Sequence, residues 1–141
     1  ATRKRRDGFI SYCNEKNIKY TICEGFNSKK DFEIMLNNFI KNNFIPKIKI
    51  DGVFAVTDKY ALNFIKKIKN LKINIPDDVQ IIGFDGSKSS IEDDFKISTI
   101  RQPVELIAKE SVKILLKIIE SKKVEKEVIL PIKFIKGYTT K

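Results

Sequence analysis

The chain has 141 residues, about the length of one domain, so it can bury one sizeable core but not two. Hydrophobic residues make up 42% and charged residues 33%, which is typical of a folded protein and excludes a disordered tail. The net charge is +10 at pH 7, but only four of the 28 basic residues are arginines and the lysines are dispersed, which argues against a DNA-reading surface.

The composition also excludes several classes of enzyme. Because the chain has no histidine, zinc sites, Ser-His-Asp triads and Cys-His dyads lack their usual ligand or base. Cys13 and Cys23 follow no metal-ligand spacing, and two reduced, buried thiols are favoured over a disulfide. No phosphate-cradling glycine motif occurs, which disfavours a nucleotide enzyme. No metal and no cofactor are expected.

The start of the sequence and the lengths of its apolar runs bear on where in the cell the protein is located. No apolar h-region follows the basic residues 3–6, and no apolar run approaches the length that spans a membrane. We therefore expect a cytoplasmic protein with no membrane partner. The start without Met suggests a piece of a longer chain.

The first half of the chain alternates helix and strand. Residues 3–17 carry apolar side chains at helical spacing, and residues 18–23 alternate as a short strand. Ser28 is the expected N-cap of a strongly amphipathic helix. The continuous apolar run of residues 52–56 predicts a strand buried on both faces, and Asp58 is the expected N-cap of the next helix.

The second half continues the alternation. Residues 79–84 predict a second buried strand and residues 97–100 a short extended segment. A long helix is predicted from Pro103 to about residue 121, and a final strand over residues 128–135. This order predicts an α/β fold with a parallel sheet flanked by helices on both faces. Ligands bind such sheets beyond the carboxyl ends of the strands.

Two carboxylates follow predicted strands. A helix cap is the favoured interpretation of Asp58, whereas Asp85 precedes a glycine and a loop and has no helix to cap. A carboxylate at a strand end can accept hydrogen bonds from two vicinal hydroxyls. A small α/β enzyme that uses both carboxylates as acid and base is a further hypothesis. A response-regulator receiver is disfavoured, because Glu24 and Gly25 stand where its acidic pair would be.

Three sequence motifs, in this order along the chain, are similar to those of a known protein family. They are DGVFAVTDKYAL at residues 51–62, IPDDVQIIGFD at 75–85 and STIRQP at 98–103. In this order they resemble the effector-binding core of LacI/GalR-type bacterial transcription regulators. The opening Arg-x-x-Gly-aromatic pattern of residues 5–9 and the last strand, residues 130–139, are similar to the family as well.

The resemblance implies a periplasmic-binding-protein-like type I fold, of which this chain is one part. Residues 1–100 and 126–141 would form the second lobe, and the crossover helix of residues 103–121 would pack on a first lobe that this sequence lacks. The apolar face of that helix is therefore expected to be uncovered. The family's N-terminal DNA-binding head is also absent.

The implied function is that of a repressor core and not of an enzyme. A sugar or sugar-phosphate effector would bind between the lobes and change the affinity of a homodimer for operator DNA. The alternative is a periplasmic-type sugar-binding protein of a transport system, which shares the fold. The STIRQP crossover and the lack of a secretory segment weigh against that alternative.

Carried over position by position, the resemblance implies five ligand-binding residues: Arg5, Phe26, Thr57, Asp85 and Gln102. The arginine would hold sugar hydroxyls or a phosphate with its planar fork, and Phe26 would stack on the ligand or fold onto the core. Thr57 stands where the family often has Asn. Asp85 matches the cleft aspartate, and Gln102 either faces the cleft or satisfies backbone at the crossover.

Overall fold

The structure is a computed structural model that describes residues 2–24, 28–87 and 96–141. In chain order its elements are α1 (Thr2–Glu15), α2 (Lys29–Phe44), β1 (Gly52–Phe54), α3 (Asp58–Ile68), a 3₁₀ turn (Lys69–Leu71), β2 (Gln80–Asp85), β3 (Ser98–Arg101), α4 (Val104–Ile119) and β4 (Lys133–Ile135). Helix and strand alternate as the hydrophobic pattern predicts.

The strands form one mixed sheet in the order β1-β2-β3-β4. β1, β2 and β3 are parallel, with Phe54 beside Ile82 and Gly83 beside Thr99. β4 runs antiparallel to β3, so the prediction of a parallel sheet is wrong for this strand. α4 buries no residue and does not pack back across the sheet, so the chain re-enters the sheet at the edge where β3 ended.

Helices cover both faces of the sheet, as expected. Side chains alternate along β2, so Ile81 faces one side while Ile82 and Phe84 face the other. On the first face, α2 and α3 bury their apolar stripes in one core that includes Phe32, Leu36, Ile40, Phe44, Ala61, Phe64, Ile65, Ile68 and Ile81. On the other face, the ring of Phe9 from α1 stacks on Phe54, with centroids 5.7 Å apart.

The predicted strand over residues 18–23 does not form. The segment has no regular secondary structure and pairs with no strand of the described sheet. The ring of Tyr20 meets the edge of Phe9 at 5.9 Å, and Phe9 in turn stacks on Phe54 of β1. An aromatic side chain of α1 thus lies between this segment and β1, and both line one open, largely apolar pocket of about 1110 Å³.

Two further boundaries differ from the sequence prediction. Thr57, and not Asp58, caps α3, because its Oγ1 accepts from the backbone N–H of Tyr60 at 3.4 Å. The last strand is confined to β4, and residues 128–132 lie outside the sheet.

Thr139, near the end of the chain, is hydrogen-bonded to the amino-terminal ends of β2 and β3. Thr139 Oγ1 donates to the carbonyl of Ile81 at 2.7 Å and accepts from the N–H of Ser98 at 2.9 Å. The N–H of Ile81 donates to the Thr139 carbonyl at 2.8 Å. These hydrogen bonds lie at the end of the strands opposite to Asp85.

α4 remains largely uncovered, as the sequence leads us to expect. Val104, Val112, Leu115, Leu116 and Ile119 are between 53% and 70% exposed. Within residues 2–24, 28–87 and 96–141, no helix is both long enough and apolar enough to cross a membrane.

Candidate ligand-binding site at the strand ends

A polar cluster lies where β1, β2 and β3 end. Asp85 is the last residue of β2, and Gln102 follows β3 directly. Val56 lies two residues beyond β1, and Arg5 reaches the same place from α1. Because the three strands are parallel, their carboxyl ends meet at one edge, which is where this fold class binds ligands.

Arg5 is the centre of the cluster. Its Nη1 donates to the Val56 carbonyl at 2.7 Å and lies 3.0 Å from Asp85 Oδ1. The guanidinium also lies over the ring of Phe84, 4.0 Å from the centroid, which is a cation–π contact. The side chain is 14% exposed. One arginine thus ties α1 to the ends of β1 and β2.

Asp85 and Gln102 are joined twice. Gln102 Nε2 donates to Asp85 Oδ1 at 2.8 Å, and the backbone N–H of Gln102 donates to the Asp85 carbonyl at 3.2 Å. Asp85 has φ of 123°, a region that non-glycine residues rarely occupy, and its carboxylate is 35% exposed. Such backbone persists only where the surroundings fix it, and it is common at functional sites.

The structure brings three of the five predicted residues into direct contact, namely Arg5, Asp85 and Gln102. Thr57 adjoins Val56 at the edge of the cluster, but its hydroxyl caps α3. The position predicted for the stacking aromatic, Phe26, lies outside the described residues. The two roles predicted for Gln102 are compatible. Its backbone N–H donates to the Asp85 carbonyl at the crossover, while its side chain contacts the Asp85 carboxylate in the cluster.

Asp58 does not face this cluster. It is 3% exposed, and its carboxylate accepts from Thr99 and from the backbone of Ser87. Asp85 is instead directed to Arg5 and Gln102. Among the contacts of the described residues, the two carboxylates share no hydrogen-bond partner, and a shared acid–base pair would require them to face one site.

Sequence reasoning missed two members of the site. Phe84 supplies the aromatic surface under Arg5, and its place one residue before Asp85 on a strand with alternating faces is the signal that could have found it. The Val56 carbonyl is the other member, and a backbone acceptor has no signature in a sequence. Both act through Arg5.

A second arginine orders the neighbouring surface. Arg6 Nη1 lies 2.5 Å from Glu24 Oε2, and its Nη2 lies 2.7 Å from Asp7 Oδ1. The hydrogen bonds to Glu24 and Asp7 raise the pKa of Arg6, so this guanidinium stays charged. The Arg6–Glu24 ion pair places the end of the segment after α1 beside the amino-terminal half of that helix.

The cluster is suited to a hydroxyl-bearing ligand. Arg5 and Asp85 together carry no net charge, and they offer donors and acceptors in one place. Vicinal hydroxyls can both donate to a carboxylate and accept from a guanidinium fork. The Phe84 ring beneath the guanidinium supports Arg5 in this position.

Known proteins share this fold and its order of motifs. A family model described as periplasmic binding protein-like domain matches residues 1–140. The chain belongs to that family, whose fold agrees with a ligand site at the strand ends. The resemblance to LacI-family regulators is confirmed by its relatives. The sucrose operon repressor of Streptococcus mutans is 38% identical over 137 residues, which are 96% of this chain and 40% of that protein.

Solved structures of LacI-family proteins share the fold of this chain. A LacI family transcriptional regulator from Enterococcus faecium with bound ribose is 26% identical, with a TM-score of 0.78 over 99% of this chain and 51% of that one. The Lac repressor dimer bound to operator and an anti-inducer is 22% identical and has a TM-score of 0.83 over 98% of this chain and 47% of its own, which shows the shared fold. The chain thus spans about half of these structures, and about two fifths of the curated relatives that it matches.

Proposed function

We propose that this chain is the effector-binding part of a sugar-responsive transcription regulator. The contact of Arg5, Asp85 and Gln102 at the strand ends carries the proposal, because it assembles from α1, β2 and β3 the groups that recognise vicinal hydroxyls. The relatives support it, since sucrose operon and ribose operon repressors are among them. The effector would change the affinity of the complete, cytoplasmic protein for DNA, and the protein would act without enzymatic turnover.

We further propose that a first lobe covers α4 and completes the cleft. The exposed apolar face of α4 supports this, as does the share of each relative that the chain leaves unmatched. DNA would be bound by a separate head, and the working protein would be a homodimer, as the Lac repressor is in its structure with operator.

The balanced charge of the cluster favours a neutral sugar over a sugar phosphate. A phosphate placed near Arg5 would also approach the Asp85 carboxylate, and like charges repel at this distance. A neutral sugar meets no such repulsion. The Asp85→Asn variant therefore separates the two ligands, because it removes one charge and little volume.

The experiment is calorimetric titration of the full-length protein with ribose, sucrose and the corresponding sugar phosphates. For a neutral sugar, we expect Asp85→Asn to weaken binding by about tenfold or more, as for loss of a charge-assisted hydrogen bond. For a phosphorylated ligand, the same variant should leave binding unchanged or strengthen it.

The matched control is Asp78→Asn. Asp78 also accepts a backbone N–H, that of Asn74 at 2.8 Å, but it precedes β2 and lies at the other end of that strand from Asp85. It should leave binding unchanged. Equal effects of the two variants, or no binding of any sugar or sugar phosphate, would contradict the proposal.

A further inference from the structure

A buried carboxylate contacts the turn that follows the candidate site. Asp58 is the first residue of α3 and is 3% exposed. A buried charge is costly unless its oxygens are hydrogen-bonded, so its partners reveal what it stabilises.

Both oxygens of Asp58 act on the turn that follows Asp85. Oδ2 accepts from the backbone N–H of Ser87 at 3.0 Å, and Oδ1 accepts from Thr99 Oγ1 at 2.5 Å. Thr99 Oγ1 accepts in turn from the N–H of Gly86 at 3.3 Å. The two peptide groups after Asp85 are therefore held by one carboxylate, directly at Ser87 and through a buried hydroxyl at Gly86.

The sheet is shaped to admit this carboxylate. Gly83 of β2 pairs with Thr99 of β3, and both face α3. A Cβ on Gly83 would collide with Asp58 Oδ1. The missing side chain at Gly83 is what lets Asp58 reach Thr99 and the turn.

The turn needs such support. Asp85 has φ of 123°, and Gly86 follows with φ of 65°. Backbone in these regions is held in place by its surroundings. Release of the two N–H groups would let Asp85 relax toward ordinary extended backbone, and its carboxylate would then leave Arg5 and Gln102.

We propose that Asp58 is a positioning residue for the effector site, which, with Thr99, clamps the Gly86-Ser87 turn and thereby aims Asp85 at Arg5 and Gln102. The inference rests on the proposed function for its consequence in ligand binding, whereas the clamp itself can be measured without a ligand. A purely structural role in α3 would not alter the Asp85–Gln102 contact. That contact is therefore the discriminating readout.

The first experiment is NMR hydrogen exchange on the 141-residue chain with the hydroxyl pair Thr99→Val and Thr99→Ser, together with Asp58→Asn. Thr99→Val keeps the shape but removes the hydroxyl, whereas Thr99→Ser keeps the hydroxyl. Asp78→Asn is the matched control, because its carboxylate also accepts a backbone N–H but lies far from the turn.

We expect exchange at Gly86 to accelerate at least about tenfold in Thr99→Val, because its N–H loses the Thr99 hydroxyl as acceptor. In Asp58→Asn we expect the acceleration at Ser87, because the amide has one acceptor oxygen where the carboxylate used two, one for Ser87 and one for Thr99. The side-chain amide signals of Gln102 should shift in the same two variants. Thr99→Ser and Asp78→Asn should leave both unchanged. Unchanged exchange at the turn, or an unmoved Gln102 signal in a folded variant, would overturn the inference.

The second experiment titrates the full-length variants with ribose and sucrose. Asp58→Asn and Thr99→Val should weaken binding by about tenfold, with Thr99→Ser close to the unmodified protein. If sugar binding falls in Asp85→Asn but not in these two, the positioning role is wrong and the proposed function stands. If neither sugar binds the unmodified protein, the proposed function loses support, while exchange and the Gln102 signal still decide the clamp.

Discussion

The uncovered face of α4 should make this chain self-associate when it is produced alone. Successive residues of a helix turn by about 100°, so Val104, Val112, Leu115, Leu116 and Ile119 fall within one arc of roughly 120°. Ile107 and Ile114 lie outside that arc and face the segment of residues 128–132. The exposed arc is therefore distinct from the side of α4 that faces this segment.

The exposures set the size of the effect. Full burial of an aliphatic side chain contributes about 1.5–3 kcal/mol, so five side chains that are 53–70% exposed represent about 4.5–9 kcal/mol per helix. Two copies double this to about 9–18 kcal/mol, against an association cost of about 4–15 kcal/mol. Dimers with dissociation constants in the micromolar range are the expected outcome.

The perturbation is the double variant Val112→Glu/Ile119→Glu, which places two charges on the exposed arc. The matched control is Lys117→Glu, because it changes the net charge by the same two units on the polar side of the helix. Light scattering coupled to size exclusion at about 50 µM should show dimers for the unmodified chain and the control, and monomers for the double variant. A monomeric unmodified chain that binds no hydrophobic dye would refute the reasoning.

Four other predictions follow from single features. Gly86→Ala should destabilise the chain by at least about 1–2 kcal/mol in urea titration, because Gly86 has φ of 65° and a Cβ would lie 2.5 Å from that of Arg101; Gly8→Ala, with open space around it, should not. Thr139→Val should cost about 1–3 kcal/mol for each group left unsatisfied, at Ser98 and Ile81, whereas Thr139→Ser should be much milder. Burial raises the pKa of the Cys23 thiol, so its alkylation in the folded chain should lag behind that of the urea-unfolded chain across pH 7–9, and equal rates would contradict the burial. The chain alone should bind DNA weakly and without sequence preference, with affinity falling as salt rises, and motif-selective binding at physiological salt would argue against the regulator-core assignment.

The sequence predicts the order of elements well because each depends on local pattern. The apolar spacing of α2 and the continuous runs of β1 and β2 are recorded within a dozen residues of chain. Asp85 was within reach from its placement at a strand end, and Arg5 and Gln102 from the family resemblance. The contact of Arg5 with Asp85 was not predictable in this way, because Arg5 lies on α1 and not at the end of a strand.

Strand direction and contacts between residues distant in sequence could not be predicted from local pattern. The direction of β4 depends on α4 leaving the sheet, which no local pattern of residues 128–135 records. The Asp58–Thr99 contact joins residues 41 apart in sequence, and an aspartate at the start of a helix is locally indistinguishable from a cap. The segment of residues 18–23 has the alternation of a strand, but the aromatic contacts of Phe9 keep it from β1.

The placement of the polar cluster bears on how a ligand could change the shape of the whole protein. Arg5 lies on α1, and Gln102 lies between β3 and α4, the helix that leads away from the sheet. Asp85 joins the two, and Arg5 also binds the end of β1. These groups satisfy one another, so a ligand that engages Arg5 or Asp85 would compete with contacts that hold α1 and the start of α4 to the sheet. Under the proposal that a first lobe packs on α4, ligand binding would therefore act on the helix that joins the two lobes.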